Sequence, residues 1–595
     1  MFLKNTKIYS LLKLFYRGYG GYKLQIIILA VLGFLGGFLE GVGINAAIPL
    51  FSFITKSGQT GDDVISRGIA KAFAFFDVQF GLRYLLVFIC LLFIARAVAL
   101  FFCNYIKIRI SANYEEQARR ALFAKTLEAD WPYLLKYKLG HLNTLLITNV
   151  QYGSLLLEYL SGSIMAFAGL LMYILVAVNI SWIITLITLA LGALLMFFLK
   201  PFLYKIKSLA QEKESTIRQA AHYLNENVVG LKTVKIMSAA EPIKLRGWEY
   251  FKKFKDLKIK TALLRIISDA LIQPVGLVFV VIVFAFSYKA ANFNFAALAA
   301  VIYLVQRMFA YIQQLQSNLY TVGEAAPYLR KLLDYGDEAK FNKEKKSGEL
   351  PFKFDDALVF RGVDFFYNSG QAILTGLNFS INKGEAVGLI GSSGAGKTTL
   401  VDLILRLFAP TGGKILLDGK EAGLIDLSDW RKNIGYVSQD IFLKNDTIAN
   451  NIKFYDEMIS DEEMRKSAKM ADIYDFIESC PDGFKTIIGE RGVMLSAGQR
   501  QRIIIARILA RKPKFLILDE ATSALDNEAE VQIQKVIENL KGKLTVFIIA
   551  HRLTTIMGVD KLLVLADGKI VEQGKPRELL ANRQSYFYKV YNIKN

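Results

Sequence analysis

Six apolar runs, near residues 24–54, 83–106, 155–178, 182–204, 266–289 and 294–316, limit the possible folds more than anything else in these 595 residues. Runs of about twenty residues or more match the hydrocarbon thickness of a bilayer at helical rise. In lipid a chain must satisfy its own backbone hydrogen bonds, so each run is expected to be a membrane-spanning α-helix. A composition that is 53% hydrophobic, with the apolar residues massed before about residue 330, excludes a wholly soluble protein. The remainder has the mixed texture of a soluble α/β domain.

The formal net charge is +20. Lys and Arg concentrate between the apolar runs, as a cytoplasmic membrane face requires. No basic groove with interleaved aromatics accompanies them, so nucleic acid is not an expected partner. With the chain starting inside, the second-to-third and fourth-to-fifth connections are long, basic and cytoplasmic. The outer connections Asn179-Ile180-Ser181 and Ala290-Ala291-Asn292-Phe293 are very short. Helical patterning through 107–155 and 205–265 predicts that the spans continue as cytoplasmic stalks.

Residues 1–23 alternate Phe2, Leu3, Ile8, Leu11, Leu12 and Phe15 with Lys4, Lys7, Lys13 and Arg17. No compact apolar core with a cleavage site is present, so an amphipathic helix on the inner surface is expected rather than a signal peptide. Cys90, Cys103 and Cys480 have no metal-site or disulfide spacing. The membrane region is expected over 24–333, a charged linker over 334–354 and the soluble domain over 355–595.

Ionisable residues within spans are costly and point to function. Glu40, Arg96 and Arg307 each lie about thirteen residues from the outer end of their span, near 20 Å below the outer surface at helical rise. Glu40 and Arg96 form either a structural ion pair or part of a substrate site. Arg307 has no obvious anionic partner in the sequence, and a phosphate or pyrophosphate group would suit its planar fork. Asp269 and Gln273, deeper in span five, are weaker candidates.

In the soluble half, Ala386-Val387-Gly388-Leu389-Ile390 reads as a buried strand. It feeds Gly391-Ser392-Ser393-Gly394-Ala395-Gly396-Lys397-Thr398-Thr399 and then a helix, the context that makes a phosphate loop specific. The glycines let successive N–H groups face phosphates, Lys397 reaches the outer phosphates and the Thr398 hydroxyl ligates magnesium. A second apolar strand, Phe515-Leu516-Ile517-Leu518, ends in Asp519, placed to hold magnesium, and Glu520, placed to orient or deprotonate water. His551 follows the strand Val546-Phe547-Ile548-Ile549-Ala550 and is expected at the same edge.

Together these residues resemble the ATP-binding cassette family along the whole chain. The resemblance implies an exporter half-transporter: a six-span α-helical membrane domain fused to one α/β nucleotide-binding domain, using ATP and Mg2+ and working as a pair of chains, most simply a homodimer. It implies that Tyr367 stacks on adenine, that Gln439 in Tyr436-Val437-Ser438-Gln439-Asp440 senses magnesium, and that Asp526 in Ser523-Ala524-Leu525-Asp526 lies at the dimer seam. The run Leu495-Ser496-Ala497-Gly498-Gln499 would reach the γ-phosphate held by the opposite chain. Ala497 departs from the family, which usually has Gly there. Gly489-Glu490-Arg491-Gly492 is similar to a stalk-contacting segment of exporters. Ala129-Asp130-Trp131-Pro132-Tyr133 and Ser238-Ala239-Ala240-Glu241 are candidate coupling turns or ordinary hairpin turns.

Glu40-Gly41-Val42-Gly43-Ile44 with Pro49, Arg96 and Arg307 resembles the lipid-linked oligosaccharide flippases of bacterial glycosylation pathways. The expected function is ATP-driven movement of an amphipathic, lipid-linked anionic substrate across the cytoplasmic membrane. Lipid A-type or multidrug export, and peptide export, are the alternatives; no additional N-terminal domain is expected to carry a cysteine peptidase.

Overall fold

The computed structural model describes residues 7–46, 64–75, 77, 81–137, 139–287, 295–345, 347–367, 370, 372–521, 527–550 and 552–589. The chain separates into two compact units. One comprises residues 1–129 and 133–343, the other 130–132 and 344–595.

The first unit is helical throughout. A short helix α1 (Lys7–Tyr19) precedes α2 (Lys23–Asn45), α3 (Val64–Phe75), α4 (Leu82–Leu127), α5 (Val150–Ile180), α6 (Trp182–Val229), α7 (Ala240–Ser287) and α8 (Phe295–Phe341). Among the described residues, five helical stretches are long and apolar enough to cross a membrane, beginning at Leu11, Leu82, His141, Trp182 and Ala240. The sixth long helix, α8, adjoins residues 288–294, which lie outside the described residues, as does 47–54 of the first expected span. Helices α4, α6 and α7 each run 46 to 48 residues, about 70 Å at helical rise, more than twice a hydrocarbon core. Stalks therefore extend far beyond the lipid. Ser181 alone separates α5 from α6, its side chain accepting from the N–H of Ile184.

Close helix packing follows from small residues. Gly33, Gly37 and Gly41 repeat every four positions along one face of α2. A Cβ on them would meet Met165, Gly169 and Val176 of α5 at 3.0 to 3.2 Å. In lipid, where apolar burial gives helices no preference for one another, this close approach supplies the packing. It also carries Glu40 into the interior, where it is fully buried.

One boundary differs from expectation. Residues 334–341, expected within the linker, are the last turns of α8. Their charges look linker-like in sequence, but Tyr335 and Ala339 are buried, and Asp334 and Asp337 receive Arg17 of α1 at 3.1 and 2.5 Å. The acidic residues are thus a clasp for the N-terminal helix.

The second unit holds two sheets. Strands β1 (Ala357–Phe366), β2 (Ala372–Asn382), β4 (Gly412–Leu417) and β5 (Lys420–Glu421) form an antiparallel sheet in the order β2-β1-β4-β5. Strands β3 (Ala386–Gly391), β6 (Ile434–Val437), β7 (Phe515–Asp519), β8 (Thr545–Ile549), β9 (Lys561–Ala566) and β10 (Lys569–Gly574) form the main sheet, ordered β10-β9-β3-β8-β7-β6. All its pairs are parallel except β10 with β9. Both faces are covered, which is why β7 and β8 are unbroken apolar runs. Leu516, Leu518, Val546 and Ile548 enter one core, while Phe515, Ile517, Phe547 and Ile549 enter the other.

Candidate functional site

In the main sheet, β8 lies between β3 and β7, so the chain leaves all three at neighbouring C-terminal ends. Leu389 and Asp519 both pair with Ile549, which sets the loop after β3 and the carboxylates after β7 at one level of one edge. The loop needs its glycines. A Cβ at Gly391 would lie 2.3 Å from the Leu565 carbonyl oxygen, and Gly394 and Gly396 have φ of +82° and +104°. Helix α9 (Lys397–Ile404) follows directly, and Lys397 Nζ donates to the Gly391 and Ser392 carbonyls at 3.0 Å each. An ammonium held across a curled backbone at a parallel-sheet edge is the arrangement that accepts phosphates.

The carboxylates differ in surroundings. Asp519 is buried and accepts from the Tyr436 hydroxyl at 3.2 Å. Burial, with Glu520 beside it, raises its pKa, while Lys397 opposes the shift. Glu520 sits at φ +50°, a left-handed conformation that a non-glycine residue adopts at a cost of about 1–3 kcal/mol, tolerated where function demands it. Its backbone N–H donates to the Ile549 carbonyl at 3.0 Å, and its carboxylate accepts from Gln439 Nε2 at 3.0 Å. Tyr367 is held by its hydroxyl 3.2 Å from Thr399 Oγ1, with its ring edge-on to Phe365 and Phe408. Ser392 and Ser393 lie in the loop, Ala395 is buried in it, and Thr398 opens the helix.

Ser496 caps a 14-residue helix, Ala497–Ala510, through a capping box with Gln499. Ala497 and Gly498 are its first two residues, whose backbone N–H groups have no partner within the helix, beside the exposed Ser496. His551 and Asp526 lie outside the described residues.

Three contributors escaped sequence reasoning. Tyr436 was read only as part of the Gln439 string, yet its phenol orients Asp519. Asp402 on α9 has its pKa raised to about 6, first by burial and then by Asp519. Arg507 donates to the Asn451 and Phe442 carbonyls at 2.6 and 2.9 Å, joining the Ser496 helix to the segment after Gln439. Only Tyr436, adjoining a recognised motif, carried a usable signal.

The oxygen donors Thr398, Gln439 and Asp519 suit a hard cation such as Mg2+, and the glycine cradle suits a nucleotide's phosphates.

The membrane unit holds a second cluster. Arg96 lies 2.6 Å from one Glu40 oxygen and Arg307 Nε donates to the other at 3.0 Å, with a second contact from Arg307 Nη2. Tyr303 OH adds a 3.4 Å bond to the same oxygen. The expectation that Arg307 lacks an anionic partner is therefore corrected: Glu40 has two oxygens and serves both arginines. The cluster keeps one excess positive charge per chain. Asp269 has one buried oxygen without a hydrogen-bond partner among the described residues. Gln273 lies on α7, one turn beyond it.

Comparison with known families matches residues 26–323 to the ABC transporter transmembrane region and 374–523 to the ABC transporter domain. The ATP-dependent lipid A-core flippase of Coxiella burnetii is 30% identical over 567 residues, covering 93% of this chain and 92% of that one. The heterocyst differentiation ATP-binding protein HepA of Nostoc sp. is 31% identical over 571 residues, covering 94% and 92%. The solved structure of a bacterial Atm1-family ABC exporter with ATP bound shares the fold at a TM-score of 0.76 and 23% identity, over 96% of this chain and 98% of that one.

Proposed function

The chain belongs to the ABC transporter family, and from that premise we propose that it flips an anionic, lipid-linked substrate across the cytoplasmic membrane as a pair of identical chains. It is a half-transporter and a multi-pass membrane protein whose nucleotide-binding domain is cytoplasmic, and its ATPase is coupled to transport. The observation that carries the substrate reading is the net positive cluster of Glu40, Arg96 and Arg307 inside the spans. A cation excess within the spans is costly in lipid, and a cargo's negative group would balance it. Relatives named lipid A-core flippases support a lipid cargo. A lipid-linked oligosaccharide or a lipid A-type glycolipid would both present such a group.

Bound Mg-ATP supplies the phosphoryl group and the charge shielding its transfer needs. In this reading Lys397 and the loop N–H groups from Gly391 to Thr399 hold the phosphates, Tyr367 holds adenine, and Thr398, Gln439 and Asp519 hold the metal. Glu520, steered by Gln439, orients the attacking water and takes its proton at the carboxylate, with assistance from His551 as the family resemblance implies. Ser496, Ala497, Gly498 and Gln499 would meet the partner's nucleotide, and the resemblance assigns Asp526 to the same dimer contact. Two chains are then required to close either site, and closure pulls the stalks into a new arrangement.

The test is lipid-stimulated ATP hydrolysis and transport by purified protein in a bilayer, comparing wild type with Arg307→Ala. This variant leaves the Glu40–Arg96 pair in place, so the fold should persist. Loss of stimulation with basal hydrolysis retained supports the reading; unchanged stimulation and transport would place the headgroup elsewhere.

A further inference from the structure

A basic pocket lies in the first unit between α6 and α8, far from the Glu40 cluster. Lys207 and Arg218 come from α6, Arg330 and Lys331 from α8, and Gln211 and Ser215 add neutral hydrogen-bonding groups. Its volume is about 270 Å3, several times the roughly 30 Å3 share of one water. Ala326 and Pro327, the latter inside α8, complete its lining.

The charge balance is one-sided. Glu214, buried at the back of the pocket, is its one lining carboxylate, and Arg218 lies 3.8 Å from it. With Arg218 set against Glu214, Arg330 and Lys331 leave an excess of two positive charges. Arg330 and Lys331 are exposed and make no ion pair among the described residues. The Arg330 guanidinium and the Lys331 ammonium, beside the Arg218–Glu214 pair, match an oxyanion carrying more than one negative charge, whereas a single carboxylate would leave part of the excess unbalanced.

The position along the helices fits a membrane-proximal ligand. Lys207 lies three residues past the expected lipid boundary at 204, about 5 Å at helical rise and within the headgroup layer, while the other cations lie deeper in the cytoplasm. Arg330 is twenty-three residues beyond Arg307 on α8, about 35 Å away along the axis. The pocket is thus separate from the intramembrane cluster.

The geometry points to a docking site for a phosphate-bearing anion between α6 and α8 at the cytoplasmic face. The phosphate is borne either by a lipid headgroup entering past Lys207 or by a soluble di- or pyrophosphate entering from the cytoplasm. The site stands whether or not the transported cargo is itself anionic.

The test compares full-length wild type with the double variant Arg330→Gln, Lys331→Gln, whose side chains are exposed and whose loss leaves the Arg218–Glu214 contact intact. With the nucleotide sites saturated by Mg-ADP, inorganic pyrophosphate binding is measured by calorimetry. In parallel, retention of phosphatidylglycerol is measured by native mass spectrometry after washing in neutral detergent. Losing two charge-assisted contacts should weaken binding about tenfold or more, and Arg330→Lys, which keeps the charge, should lose much less. Weakening confined to phosphatidylglycerol identifies a lipid headgroup as the source; weakening confined to pyrophosphate identifies a soluble anion. Failure of wild type to bind either probe, or equal binding by wild type and the double variant, overturns the proposal.

Discussion

Replacing Glu40 with Gln removes the one negative charge between two arginines while keeping the side chain's volume. The Glu40 side chain is 1% exposed, against 21% for Arg96 and 34% for Arg307. Removing one member of a buried ion pair costs about 3–5 kcal/mol, because the remaining charge is stranded. Here two charges are stranded, but both arginines retain some access, so the lower end, about 3 kcal/mol, applies. The double variant Glu40→Gln, Arg307→Gln strands only Arg96 and should cost less than the two single changes added together, with a coupling energy of about 1–3 kcal/mol. The assay is reversible unfolding in mixed micelles for wild type, both single variants and the double. A Glu40→Gln variant within about 0.5 kcal/mol of wild type, or strictly additive costs, would refute the idea that this carboxylate holds the layer together.

Glu520→Gln should lower turnover by about a hundredfold or more while ATP binding persists, read by hydrolysis rate and nucleotide affinity on the same preparation. Gly391→Ala should abolish nucleotide binding or folding, since the added methyl would meet the Leu565 carbonyl at 2.3 Å; unchanged ATP affinity would contradict the cradle. For Asp402 the raised pKa, about 6, means that ionisation disfavours the folded state. Its contribution to stability is fully present below the ordinary carboxylate value and is lost as pH rises through about 6. Asp402→Asn should therefore gain melting temperature over wild type progressively between about pH 4 and pH 6 and hold that gain above. A gain independent of pH would exclude this cause.

The order of six apolar runs and then a phosphate-loop domain was readable because each signal is local. Helical rise against lipid thickness gives spans, and a glycine loop between strand and helix gives a phosphate cradle. Glu40, Arg96 and Arg307 were also placed in one layer by counting residues. The Glu40–Arg96 ion pair was one of two expected readings, but the sharing of Glu40 with Arg307 was not readable, because it depends on which helix faces which, and that is decided by distant contacts such as Gly37 against Gly169. The same limit hid Tyr436 bonding Asp519, whose partners are 83 positions apart and meet only because β6 lies beside β7. Asp334 and Asp337 misled for a related reason: acidic residues in an exposed linker and acidic residues receiving Arg17 look alike until the helix carrying them is seen to continue.

In the proposed cycle, ATP hydrolysis moves an anionic lipid-linked molecule from one leaflet to the other. The most direct measurement reconstitutes the protein in sealed vesicles with a labelled anionic glycolipid and follows its transfer between leaflets. Transfer should require Mg-ATP and stop in Glu520→Gln. Transfer at the same rate without ATP, or in that variant, would contradict the account.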